Sequence, residues 1–345
     1  MITLQQQKIS NTPLLATPSL LSNVNSVLQN HTIATAQQKL EAEQERTAKY
    51  KSLKANLPAN TGLIQISGIL VAGSMGNLEA LCGMTSYQSI LNQMFAYTQN
   101  TSIKRVLLHI SSGGGEAYKV FSSCKEVKDL AQKHGIELVA YADGTCASAA
   151  YAWASIADQI ISHPESNNIG SIGVVMQLVN DSKALEQKGL DRTFVFSGNS
   201  KIPFDQNGAF RADFISDLQA KIDETYNTFV NHVSTNRKMT KQDVIKTEAK
   251  TFTAKKAMSL KLIDLLMTES ELFEYLGKPI IGSKQPVSAP TSTPSASKVE
   301  VKSDIKTEQA TEKLRDLQSI VKKRLNRSED DIKQQAIAKL KQNNL

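Results

Sequence analysis

Ser148 stands in the run Ala147-Ser148-Ala149-Ala150-Tyr151, where small side chains leave room for a peptide backbone to come close. Upstream lies a glycine-rich turn, Ser111-Ser112-Gly113-Gly114-Gly115, and downstream a lone lysine, Lys201, in a polar loop. A hydroxyl, an amine and exposed backbone amides are the parts needed for nucleophilic acyl transfer. The serine attacks, a base takes its proton, and backbone N–H groups hold the charge that develops on the substrate oxygen.

Each part also has a plainer reading. A strand running into a helix through Ser-Gly-Gly-Gly points backbone N–H groups outward, which suits a phosphate or an oxyanion. It equally suits a tight βα turn, and no Gly-Lys-Ser/Thr follows to make a P-loop. Ser148 on its own fits an N-cap at a strand-to-helix junction. Two histidines compete with lysine as its base. His163 follows the next strand, and His109 lies in the strand before the glycines. Either also fits a packed or surface position.

The elements that position these residues alternate. Leu63–Val71 predicts a strand, with Gly68 where it bulges or bends. Thr85–Thr98 has helical periodicity. Ile103–Ile110 predicts a strand, Glu116–His134 an amphipathic helix ending at Gly135, and Ile136–Tyr141 another strand. A helix to Ala157, strands Gln159–Ser162 and Ile172–Val179, a helix Ser182–Lys188 and a strand Thr193–Phe196 follow. This alternation predicts an α/β fold whose parallel sheet is covered on both faces. Arg211–Arg237 predicts a long helix, packed on its own sheet or against a neighbouring subunit.

Composition and charge narrow the class. The chain has 345 residues and a formal net charge of +7. Its lysines are spread out, which argues for a solvated surface rather than nucleic-acid binding. The three cysteines and five histidines show no metal-binding spacing. No metal or cofactor is called for. An odd cysteine count, no secretory leader and no long apolar stretch predict a soluble cytoplasmic protein without a membrane partner.

Five ordered motifs resemble the signal peptide peptidase A family of serine–lysine peptidases, from about Gly62 to Leu276. They are the Ser111–Gly115 turn, the Ala147–Tyr151 turn, Ala157-Asp158-Gln159-Ile160, Gly170-Ser171-Ile172-Gly173-Val174 and Ser197-Gly198-Asn199-Ser200-Lys201. The resemblance implies a crotonase/ClpP-like fold with Ser148 as nucleophile and Lys201 as general base. It implies that Gly115, with Ala149, supplies the oxyanion N–H groups and that Ser171 orients the lysine. It also implies a homo-oligomer whose sites are shared between protomers. Free lysine titrates near 10.4, so a lysine base needs burial, which lowers such values by up to about 3–5 units.

Three departures stand out. Gly113 replaces the proline of the first motif. Ala149 and Ala150 replace two glycines, as in the phage-type branch. The loop Glu165–Ile169 differs in length from bacterial members.

The organisation expected is a polar N-terminal arm (1–60), a peptidase domain (61–281), a Ser/Pro/Thr-rich linker (282–298) and a helical scaffold-like tail (299–345). With these features, the resemblance to the phage branch of the family implies a phage capsid assembly protease. Its substrates would be capsid and scaffold proteins, with itself included, in the host cytoplasm or assembling prohead. A bacterial peptide hydrolase of the same family, an inactive assembly module and an acyl-CoA enzyme of the same fold are the alternatives.

Overall fold

The computed structural model describes residues 13–17, 36–73 and 83–278. The expected linker (282–298) and tail (299–345) lie outside the described residues. Parallel β-strands form the centre: β2 (Thr61–Val71), β3 (Met84–Ser86), β4 (Arg105–Glu116), β5 (Glu137–Ala147), β6 (Gln159–Ser162) and β9 (Leu265–Leu266). They lie in the order β3-β2-β4-β5-β6-β9. Three short strands complete the sheet: β1 (Leu14–Ala16) on β4, β7 (Asn168–Gly170) on β5, and β8 (Thr251–Phe252) on β7. Pairings β1/β4 and β7/β8 are antiparallel.

Both faces of the sheet are covered, as its near-continuous apolar strands require. One core contains Ile64, Ile66, Val106, Leu108, Leu138, Ala140 and Ile160. It lies under helices α2 (Tyr87–Thr98), α3 (Val120–His134), α4 (Ala149–Ser155) and the far end of α6 (Ala212–Arg237). The alternate residues Leu63, Leu107, Val139, Tyr141 and Ile161 form a second core, as the twofold period of a strand dictates. That core is closed by α1 (Ala36–Asn56) through Leu53 and by α9 (Glu269–Gly277) through Leu272 and Leu276. Burying Leu53 contributes roughly 1.5–3 kcal/mol. It holds α1, a helix with only a thin apolar stripe, on the domain.

Local sequence explains the helix ends. In α3, Val120, Cys124, Val127 and Ala131 recur at helical spacing and are buried. Gly135, at φ 63°, ends the helix, its N–H bonding Ala131 and Gln132 carbonyls. The Thr268 hydroxyl accepts from the Glu271 N–H, and the Glu271 carboxylate accepts from the Thr268 N–H, closing a capping box at the start of α9.

The α/β class and the bulge at Gly68 agree with the sequence reading; the β2/β4 register shifts between Ser67 and Ile69. Other elements differ. The glycines do not form a turn: β4 runs through them to Glu116, and α3 starts only at Val120. Ile172–Val179 is not a strand. Only Val175 pairs, through an isolated bridge to Leu14. The left-handed backbone at Ser171 (φ 51°) and a Gly173 N–H to Ser171 carbonyl bond curl the chain before it can extend. Thr193–Phe196 forms no strand either, having no strand neighbour and standing exposed. Between α6 and β7 run α5 (Ser182–Gln187) and a 3-10 turn at Asn199–Lys201, and α7 (Lys241–Ile245) and α8 (Ala254–Ser259) follow α6.

Candidate active site

Strands β4 and β5 part company where the site forms. Their register shifts between Ile110 and Ser112. Beyond it, Gly114–Glu116 carries β1 and Thr145–Ala147 carries β7. The Ser112 hydroxyl fixes the bend: it donates to the Gly68 carbonyl at 2.6 Å and accepts from the Gly114 N–H at 3.1 Å.

Ser148 is the junction residue between β5 and α4. Its φ of 58° and ψ of −122° lie outside the regions favoured by side-chain-bearing residues. Such strain costs on the order of 1–3 kcal/mol and persists only where the surroundings impose it. Here they do. Its N–H donates to the Gly170 carbonyl at 2.7 Å, and its carbonyl accepts from Ala152 N–H at 3.0 Å. It stands at the N-cap position of α4, but its side chain makes no cap bond to the helix. The residue is 0% exposed, and its Oγ is buried with no hydrogen-bond partner among the described residues.

Backbone groups converge beside it. Gly114, at φ +106°, is bare on the side facing Ser148. A Cβ there would overlap the Leu15 carbonyl oxygen and stand 3.0 Å from Ser148 Cβ and 3.1 Å from the Ala149 amide nitrogen. Gly115 packs with no room for a side chain against the Leu70 backbone. Ser171 is buried on the next loop, its N–H bonding the Lys250 carbonyl at 2.9 Å. The fold therefore gathers Ser148, Ala149, Gly115 and Ser171 at the ends of β4, β5 and β7.

Lys201 is not gathered with them. It ends an exposed 3-10 turn, and within one chain it does not bond Ser148 Oγ. Nor does a histidine. His109 projects to the second core, beside Tyr141 and 3.5 Å from Asp143, which also binds Lys49 at 2.7 Å. Burial pushes His109 down to about 4, against the opposing pull of Asp143. His163 accepts the Glu165 N–H through Nδ1. Cys146, two residues before Ser148, is buried, and that burial pushes its thiol up, away from the reactive thiolate.

Two contributors escape the sequence reading. Gly114 rather than its neighbour carries the bare face, a distinction the Gly-Gly-Gly run conceals. Leu15 reaches the site from far upstream. Its only local signal is an apolar triplet between Pro13 and Pro18, whose preceding residues are biased to extended backbone. Among the described residues no group of three or more His, Cys, Asp or Glu side chains could hold a metal ion. No helix there is long and apolar enough to cross a membrane.

The mostly parallel sheet with flanking helices is an α/β fold, consistent with the ClpP/crotonase-like type that the motif resemblance implies. Residues 130–278, which include Ser148, Ser171 and Lys201, match the sequence model of peptidase family S49. The chain is 29% identical over 209 residues to the head-tail preconnector protein GP5 of Enterobacteria phage P21, covering 61% of this chain and 41% of that protein. It is 28% identical over 210 residues to the capsid assembly protease C of Escherichia phage lambda, covering 61% and 47%. The chain thus spans less than half the length of either relative.

Proposed function

We propose that this chain is a serine endopeptidase in which Ser148 attacks the scissile carbonyl, with capsid and scaffold proteins of a phage head as substrates. The observation that carries the reading is the strained, fully buried Ser148 with an unpartnered Oγ beside the Ala149 amide and the glycine strand. A hydroxyl held in that way, next to preorganised N–H donors, fits nucleophilic acyl transfer. The S49 match supports peptide-bond chemistry, and the two phage relatives support the substrate class.

Lys201 is the proposed base, supplied by a second copy of the chain. A lysine base must be held neutral, which burial promotes, and on one chain Lys201 stands exposed. The segment around it displays Val179, Leu190, Phe194, Val195 and Phe196 to solvent. Such an apolar surface fits a contact between subunits, and burying it would bury the lysine. Ser171, close to Ser148, is proposed to orient the incoming amine.

Intact-mass analysis of capsid and scaffold proteins co-expressed with wild type or Ser148→Ala tests the reading, alongside fluorophosphonate labelling. The expected result is cleavage products with wild type alone and a label on Ser148. Uncut substrates with a folded, unlabelled wild type would favour an inactive assembly module. Labelling and peptide cleavage without head-protein products would favour a general peptide hydrolase.

A further inference from the structure

Strand β1 is bonded as a bound peptide is bonded. Leu14 exchanges both backbone hydrogen bonds with Val175, each 2.9 Å, on one side. On the other, Thr17 N–H donates to the Gly113 carbonyl at 3.1 Å and Ala117 N–H to the Pro13 carbonyl at 3.2 Å. An extended segment held between two backbone edges is the strand-addition mode of peptide recognition.

The register locates one peptide bond at the nucleophile. Bonded positions alternate along an antiparallel pair. With Pro13/Ala117 and Thr17/Gly113 in the bonded set, Leu15/Gly115 belongs to it too, and the Leu15 carbonyl faces the Gly115 N–H. That same oxygen crowds the bare face of Gly114, where Ser148 Cβ and the Ala149 nitrogen also converge. It therefore lies near both the Gly115 and Ala149 amides that an oxyanion would need, and near the serine that would attack. The Leu15 side chain is 0% exposed and packs in the main core, and the next residue is the small Ala16.

We propose that residues Pro13–Thr17 are a self-substrate, and that Ser148 cleaves the Leu15–Ala16 bond. The inference rests on the Ser148 reading above. Ser148 Oγ bonds to the Leu15 carbonyl carbon as the base takes its proton. The carbon–nitrogen bond to Ala16 breaks, and that proton passes to the Ala16 nitrogen. Water then hydrolyses the Leu15 ester, freeing residues 1–15 with a Leu15 carboxylate and restoring the serine. Until then β1 fills the groove between β4 and Val175, and other peptides are excluded. The same contacts define what the groove accepts: an extended segment with an apolar residue before the scissile bond and a small one after it.

Purified full-length wild type, Ser148→Ala and Leu15→Asp are followed by intact mass and N-terminal sequencing. Turnover of a fluorogenic peptide carrying Leu-Leu-Ala and fluorophosphonate labelling are measured in parallel. The expected result is a wild-type species lacking residues 1–15 and starting at Ala16, with Ser148→Ala intact. Leu15→Asp, which puts a charge in a closed apolar site, stays uncut at this bond. In Ser148→Ala the Leu14 and Val175 amides exchange hydrogen slowly, and in Leu15→Asp they exchange fast. A wild type that labels and cleaves the peptide but stays intact at Leu15–Ala16 overturns this inference and leaves the peptidase reading standing. A wild type that neither labels nor cleaves brings down both.

Discussion

Ser148 and Lys201 stand in parts of the molecule built by different means. Around the serine every side chain from Ala149 to Ser155 is buried, β4 and β5 are sealed between two cores, and backbone bonds impose an unfavourable conformation on one residue. Around the lysine no residue of α5 is buried, Val195 is 97% exposed, and a run of stacked rings (Phe194, Phe204, Phe210 and Phe214) substitutes for a core. The long helix α6 joins the two. Its last turns bury Phe229, Val230 and Val233, while its first turns bury nothing. One half of the proposed chemistry is thus completed by the chain's own packing. The other half is carried on a surface whose apolar side chains stand in solvent.

The largest effect expected is from Ser148→Ala. It should lower peptidase activity roughly 10⁴–10⁶-fold while the thermal transition stays within a few degrees of wild type. A variant that keeps activity would remove the serine from the comparison altogether. Gly114→Ala comes next. Its methyl group would collide with the Leu15 carbonyl and crowd Ser148 in a backbone region disfavoured for alanine. Activity should fall about 10²-fold or more, and in the uncut Ser148→Ala background hydrogen exchange at Val175 should accelerate as β1 is expelled.

Acid should act on the packed half. Above pH 6.5 His109 is neutral both folded and unfolded. Below it the unfolded chain takes up a proton that the folded chain refuses until about pH 4. Stability should therefore fall through that window by on the order of 3 kcal/mol from this group. Urea midpoints at pH 7, 5 and 4 would show it as a slope that flattens in His109→Gln; an equal slope in both would assign acid sensitivity elsewhere. The smallest effect is expected on the arm. Val195→Ser should change chain stability by no more than about 0.5 kcal/mol yet weaken self-association in sedimentation. A large loss of stability would mean that the arm is packed after all.

The same contrast explains what was legible in the sequence. The strands β2, β4, β5 and β6 announce themselves through Ile, Val and Leu runs, since burial on both faces leaves little else to choose from. Helix α3 announces itself by its periodicity and Gly135. The placing of Ser148, Ser171 and the glycine strand near one another follows from motif order, since each ends a neighbouring parallel strand. Strand pairing over long separation was not legible. Leu14–Ala16 reads as a fragment of a polar arm until Gly114–Glu116 and Val175 stand beside it. Thr193–Phe196 reads as a strand because Phe194, Val195 and Phe196 are strand formers, yet propensity cannot supply a neighbour. The strain at Ser148 was equally hidden, because Ala147-Ser148-Ala149 is also what a capped helix looks like.

The central claim is that a buried serine and an exposed lysine from different copies of the chain make one site. Mixing Ser148→Ala with Lys201→Ala, each inactive alone, measures this directly after the two are unfolded and refolded together. Random assortment into shared sites predicts recovery of about a quarter of wild-type activity, with the fluorophosphonate label on Ser148 of the Lys201→Ala chain. A mixture that co-assembles yet stays as inactive and unlabelled as its components would contradict the account.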